Sequence, residues 1–242
     1  MPIAYQAGAS GGRLIMFRVS MLAGAAAAAV TTSLAMAAYV VEDAPSWRGE
    51  DNTSYYNWED FTSANGYAEG PNLPNNEPFP SGNALLFNFG DGAIISGGDN
   101  IYGYAGALNI HTYAYSESDI TDVVFNFATL GTQIDFTGAM LAWTAANGEQ
   151  GMIFPGMGYN LNYSEEFEFG PGQNGYSDNV SWSFDLSFID ADIREVGLIW
   201  NSVTSNISLD TATVDLRFSA IPAPGALALF GFAMLAGSRR RK

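Results

Sequence analysis

Cysteine is absent from the 242 residues, histidine occurs once, and Lys and Arg together number nine against 25 Asp and Glu. Each scarcity removes a class of chemistry. Without cysteine there are no disulfides, no thiolate nucleophile and no Cys-ligated zinc or iron–sulfur centre. A single histidine, His111, excludes multi-histidine metal sites and most triad chemistry. The few cations are also badly placed for phosphate. All 25 carboxylates and only Arg48, Arg194 and Arg217 lie between Glu42 and Arg217, leaving that stretch near −22. Nucleic-acid binding needs clustered Lys and Arg, so that partner is excluded. Long helical periodicity is missing as well.

The two ends differ from the middle. From Met16 the chain reads as a short basic region at Arg18, an apolar run from Met21 to Val30, and then Ala35-Met-Ala37. Small residues at Ala35 and Ala37 fit signal-peptidase cleavage after Ala37, so residues 1–37 read as a signal peptide with its true start at Met16. The last 22 residues, 221–242, have three parts: Pro222-Ala223-Pro224-Gly225, an apolar run from Ala226 to Gly237, and the cluster Arg239, Arg240, Arg241 and Lys242. As a helix the apolar run would cover roughly 18 Å of a bilayer core of roughly 30 Å. It can halt an exported chain in the inner membrane, with the cations held on the cytoplasmic side, and it is too short for a lasting anchor.

This layout resembles the sorting tail of PEP-CTERM proteins, bacterial exported proteins processed by the membrane enzyme exosortase. Ala223 stands where that family has a central Glu, which bears on the exosortase subtype. The resemblance implies a signal peptidase and an exosortase as partners, a transient stay in the inner membrane, removal of the tail, and delivery to the cell surface or extracellular matrix.

Between the ends the period is two. Leu108–Tyr115 alternates. Val180, Trp182, Phe184 and Leu186 share one face, as do Val214, Leu216 and Phe218. That is the pattern of half-buried antiparallel strands. Turn clusters such as Ser96-Gly-Gly-Asp-Asn100 and Gly170-Pro-Gly-Gln-Asn-Gly175 separate them. Nine or ten strands of this kind predict an all-β fold, an antiparallel β-sandwich of jelly-roll type. A signal helix and an apolar helix are expected to flank it. Residues 38–83 read as a strand followed by an irregular Gly/Pro/Asn-rich arm, and 84–220 as the sandwich core. Ala191–Glu195 reads as a single helical turn.

The middle is also similar to the β-sandwich cargo domains of planctomycete-type PEP-CTERM proteins, through Phe87-Asn-Phe-Gly-Asp-Gly92 and the closing Ile207–Asp215 strand. That last strand is similar to the final strand of jelly-roll carbohydrate-binding modules. The resemblance implies a structural Ca²⁺ with Asp210 as a ligand. Asp91 and Asp99, at turns, are further metal candidates. Aromatic residues near the start, Tyr55, Tyr56 and Trp58, are read as lying on an exposed loop, where they could stack on sugar rings. The Glu165, Glu166, Glu168 run reads as charge protecting an edge strand. His111 reads as a sheet-face residue beside Tyr113 and Tyr115. No catalytic residues are assigned. The expected function is therefore a non-enzymatic surface or matrix protein. The alternative is a carbohydrate-binding module with a structural calcium, in contact with extracellular polysaccharide.

Overall fold

The computed structural model describes residues 44–76 and 83–219. The chain divides into two compact units, Met1–Tyr39 and Val40–Lys242, and every described residue belongs to the second. The expected signal peptide, both flanking helices and the sorting motif lie outside the described residues. So do the cleavage positions Ala35 and Ala37, and Pro222, Ala223, Pro224, Gly225, Arg239, Arg240 and Arg241.

The described chain is all-β. Its strands are Thr53–Trp58 (β1), Ala84–Asn88 (β2), Ile94–Ile95 (β3), Ile101–Tyr102 (β4), Asn109–Tyr115 (β5) and Ile120–Gly131 (β6). They continue with Met140–Ala145 (β7), Gln150–Ile153 (β8), Tyr159–Gly170 (β9), Gln173–Asp185 (β10), Ile193–Asn201 (β11) and Ile207–Phe218 (β12). They form two antiparallel sheets. One has seven strands in the order β3-β4-β12-β6-β10-β9, with β1 also paired to β12; the other runs β2-β5-β11-β7-β8. The strand count exceeds the expected nine or ten because β3, β4 and β8 are too short to show a period. The expected helical turn at 191–195 is absent. Ile193 is instead the first inward residue of β11, where its N–H donates to the Asp119 carboxylate at 2.9 Å.

Alternation sets which face is buried. Val180, Trp182, Phe184 and Leu186 all point inward, as do Val214 and Leu216. Phe127 packs edge-on against Trp200 of the opposite sheet, with ring centroids 5.3 Å apart, and against Trp182 at 6.0 Å. These side chains form one core between the sheets, together with Trp58, Phe61 and Phe125. Each large apolar side chain fully buried there contributes on the order of 1.5–3 kcal/mol.

The sandwich takes in more of the chain than residues 84–220. β1 pairs with β12 along its whole length, from Thr53 opposite Arg217 to Trp58 opposite Ala212. The stretch after β1 covers the outer edge of β2. Asn72 exchanges backbone hydrogen bonds with Leu86, at 2.7 and 3.0 Å. Its side-chain oxygen accepts from the Thr62 and Ser63 N–H groups, both at 2.8 Å, and its nitrogen donates to the Ser63 carbonyl. Its own carbonyl also accepts from the Trp58 indole N–H at 3.1 Å. The Asn72 backbone thus links a strand of one sheet to a strand of the other, and its side-chain amide fixes the chain that positions it.

Two arrangements of charge complete the frame. Arg48 binds Asp215 through two parallel hydrogen bonds of 2.5 and 2.7 Å, with the carboxylate 1 % exposed. The same guanidinium lies 3.9 Å above the Tyr55 ring. At the far edge, β9 pairs with β10 alone among the described strands and carries the exposed Glu165, Glu166 and Glu168, the charged edge expected of that run.

Replacing Asn72 by Ala strands the buried Ser63 N–H and carbonyl and the part-buried Thr62 N–H. We expect a loss of about 2–4 kcal/mol, read as a lower midpoint in urea unfolding. A loss under about 1 kcal/mol would show that the side-chain amide does not hold the Asn72 backbone in its linking position.

Candidate functional site

The residues singled out by sequence fall in three separate places. Tyr56 and Trp58 are on β1 with their side chains in the core, 6 % and 0 % exposed. They do not sit on an exposed loop, and no sugar can stack on them there. The reason is the period of two: Ser54, Tyr56 and Trp58 take the inward face once β1 joins the sheet. Tyr55 points to the other face, beneath Arg48.

Asp210 sits at a bulge in β12, where the pairing to β6 shifts register between Leu209 and Thr211. One of its oxygens accepts hydrogen bonds from the Asn100 amide and the Ser208 hydroxyl, both at 2.8 Å. Burial pushes this carboxyl up to about 6, against the opposing pull of the Ser208 hydrogen bond. Calcium requires six to eight oxygens offering lone pairs. Here the neighbours turn donors toward Asp210, and burial disfavours its charged form. These residues do not fit a calcium ion. Asp99 occupies the turn before Asn100 with a left-handed backbone, φ 59°, and Asp91 lies in a different turn, whose carbonyl abuts Gly106. Among the described residues no group of three His, Asp or Glu side chains could hold a metal ion.

A site does form on the outer face of the five-stranded sheet. Along β5 the residues Asn109, His111, Tyr113 and Tyr115 point outward while Ile110, Thr112 and Ala114 face the core. On the neighbouring β2, Phe87 stands opposite His111. Phe87 and Phe89 stack with ring centroids 5.3 Å apart, nearly parallel at 11°. The Phe89 ring meets His111 edge-on at 4.8 Å, and Tyr67 leans over Phe89 at 4.7 Å. Phe87 reaches Tyr113 at 6.2 Å. An aromatic strip therefore crosses the face from Tyr67 through Phe89 and His111 to Tyr113.

Local backbone choices hold the strip in place. Gly197 lies opposite Tyr113 on β11, and a Cβ there would collide with the Tyr113 ring. Glycine lets that ring lie close against the sheet. Gly66 serves Phe89 and Phe87 in the same way, and its N–H donates to the Asn88 carbonyl at 2.7 Å. This bond brings the loop bearing Tyr67 onto the edge of β2. Tyr67 is left 81 % exposed at the end of the strip.

His111 is the polar centre. Its Nε2 lies 3.0 Å from the Asn109 side-chain oxygen and its Nδ1 3.0 Å from the Tyr113 hydroxyl. The amide oxygen can only accept, so Nε2 carries the hydrogen and Nδ1 accepts from Tyr113 in the neutral ring. Burial lowers the His111 pKa, which favours that neutral form. Burial and the nearby Glu195 raise the Tyr113 and Tyr115 hydroxyls, keeping them protonated. The result is a surface of rings, amides and hydroxyls with Glu195 at its margin, opposite Tyr115. It is suited to stacking and hydrogen bonding. His111 has an amide rather than a carboxylate beside it, so it lacks the orienting anion of a proton relay.

Sequence reasoning placed His111, Tyr113 and Tyr115 together on one face and missed Tyr67, Phe87, Phe89 and Asn109. The signal for Phe87 and Phe89 was their spacing of two in a strand. Nothing local in the sequence shows that this strand pairs with β5. The chain matches no family model, no curated protein and no solved structure.

The buried Asp210 generates a pH prediction. In the fold it keeps its proton to about 6, against an ordinary value of 3.8. Between those values the folded state binds more protons, so stability falls as pH rises across that window. Above it the charged group costs roughly 3 kcal/mol. Asp210→Asn keeps an acceptor for Asn100 and Ser208 without the charge. We expect its thermal midpoint to exceed the parent's at pH 7.5 and to converge with it near pH 4. An unchanged midpoint at pH 7.5 would refute the assignment.

Proposed function

We propose that the protein is a non-enzymatic, exported β-sandwich of jelly-roll type that binds extracellular polysaccharide at the cell surface or in its matrix. The observation that carries the binding is the aromatic strip Tyr67–Phe89–His111–Tyr113, bordered by the Asn109 amide and the Tyr113 hydroxyl. Pyranose faces are apolar and stack on rings, while their hydroxyls need neutral donors and acceptors such as these. A surface of this composition suits an uncharged ligand in a chain that is otherwise strongly acidic. The acidic remainder would repel copies of the protein from one another and keep it soluble after export.

Export and sorting in this reading rest on the two ends. Signal peptidase would cut after Ala37. Exosortase would process the tail near Pro222-Ala223-Pro224-Gly225, after the apolar run had paused in the inner membrane.

Binding is measured by retardation of the protein in gels containing neutral polysaccharides. Tyr67→Ala, at an exposed ring outside the core, should weaken retention about tenfold, equivalent to about 1.4 kcal/mol, without moving the thermal midpoint. A parent chain that no polysaccharide retards would sink the binding reading. Sorting has its own measurement. With Arg239, Arg240 and Arg241 replaced by Gln, the exported protein should keep its tail and run larger. Unchanged mature size and location would remove the sorting reading.

A further inference from the structure

The edges of the two sheets end differently. The outer side of β1 is occupied: the Asn57 carbonyl accepts from the Asn75 N–H at 2.7 Å, and the Tyr55 carbonyl from the Asn76 amide at 2.8 Å. β2 is covered by the segment around Asn72. β3 is two residues long, and β9 carries its three glutamates. β8 ends the five-stranded sheet with none of these guards. From Gln150 to Ser164 there is no charged residue, in a stretch of chain that is otherwise strongly acidic. Met152 and Phe154 stand 62 % and 69 % exposed there.

The free backbone of β8 has a definite pattern. The Ala145 N–H donates to the Glu149 carbonyl at 2.8 Å and closes the β7–β8 hairpin. Bonded and non-bonded pairs alternate from that point. Trp143–Gly151 and Leu141–Ile153 are therefore bonded pairs, and Thr144–Gln150 and Ala142–Met152 are not. The N–H and C=O groups of Gln150 and Met152 point away from β7, and they have no partner among the described residues.

An uncovered, uncharged edge is a template for another strand. Three features select a second copy of this chain as its source. Acidic copies repel one another over most of their surface, so they meet only where charge is missing. An antiparallel edge is complementary to itself under a two-fold rotation. The outward run of Gln150, Met152 and Phe154 is centred on Met152 and stops at Pro155, which has no N–H to offer.

We propose that the protein dimerises by antiparallel pairing of β8 with β8 of a second copy, about a two-fold axis at Met152. Met152 lies opposite its own counterpart, and Gln150 lies opposite Phe154. The two five-stranded sheets become one sheet of ten strands. Pairing stops at two copies, because the other edge of that sheet, β2, is covered. The axis is perpendicular to the sheet, so both outer faces look the same way. Met152 shares a cross-strand row with Ala142, Gly197 and Tyr113. The dimer thus presents two aromatic strips on one surface, with the two β5 strands seven spacings or about 34 Å apart. On the polysaccharide reading above, on which this last consequence alone rests, a ligand spanning both strips gains avidity.

Mass in solution tests the dimer whether or not a glycan binds. The full chain, at micromolar concentration in a mild nonionic detergent that shields its apolar ends, should sediment as two chains. Met152→Glu sets two carboxylates across the axis and should weaken association about tenfold or more. Phe188→Glu, at an exposed ring in the β10–β11 connection, should not. The cysteine-free background supplies a second measurement. Facing bonded positions lie about 5.5 Å apart at Cα, within disulfide reach. Met152→Cys should therefore give a disulfide-linked dimer on mild oxidation, while Phe188→Cys stays unlinked. A parent that sediments as one chain, association untouched by Met152→Glu, or equal cross-linking from Phe188→Cys would each overturn the pairing.

Discussion

Asn72 is the residue on which the meeting of the two sheets depends, through its backbone and its side-chain amide together. Its oxygen holds the chain at Thr62 and Ser63, its backbone pairs with Leu86 of β2, and its carbonyl accepts the Trp58 indole of β1. Sandwich sheets pack through the side chains of their inner faces, and a polar contact between them adds direction to that packing. Asn72 sits where β1, from one sheet, passes over to β2, in the other. It turns what would be a free connection into a fixed corner, and it closes the exposed edge of β2. The loop it fixes also delivers Gly66 and Tyr67 to the aromatic strip. The candidate site is thus downstream of the same residue that links the sheets.

Charge is arranged so that a strongly acidic chain still folds. Most carboxylates are spread over solvent-exposed positions, where repulsion is screened over about 8–10 Å at ordinary ionic strength. The most buried one, Asp215, is matched by the bidentate Arg48. Burial raises Asp210 to about 6, so it keeps its proton below that pH and is a charged burden above it. Asp178, also buried, is likewise raised by burial and accepts a hydrogen bond from Ser164. The acidic character therefore belongs to the surface. The aromatic strip is a neutral window in it.

Fold class was legible from period two alone, because burying one face of each strand leaves few alternatives to two packed sheets. The core positions of β10 and β12 followed from the same rule, and so did the charged edge at β9. What was not legible was pairing. Tyr56 and Trp58 looked like loop aromatics because Gly, Pro and Asn crowd the residues after them, and only their register against β12 turns them inward. The calcium reading of Asp210 rested on strand similarity and could not foresee a bulge that surrounds the carboxyl with donors. Phe87 and His111 are 24 positions apart, and their meeting depends on a β2–β5 pairing that no short-range pattern encodes. Gly197 likewise acquires its meaning only once Tyr113 lies across from it.

The corner where β1 starts and β12 ends has a mechanical consequence. Asn52 and Phe218 exchange hydrogen bonds there, at 2.7 and 2.9 Å. Pulling the two chain ends apart would open β1 from β12 one bond at a time, a weak unzipping direction. Pulling from residue 219 against a partner held on the far sheet would load β12 lengthwise. That strand is gripped by β6 along one side and by β1 and β4 along the other. Its hydrogen bonds lie perpendicular to the strand and would be sheared together rather than in succession. The same sandwich is compliant to tension between its own ends and stiff to tension between its carboxyl end and its aromatic face.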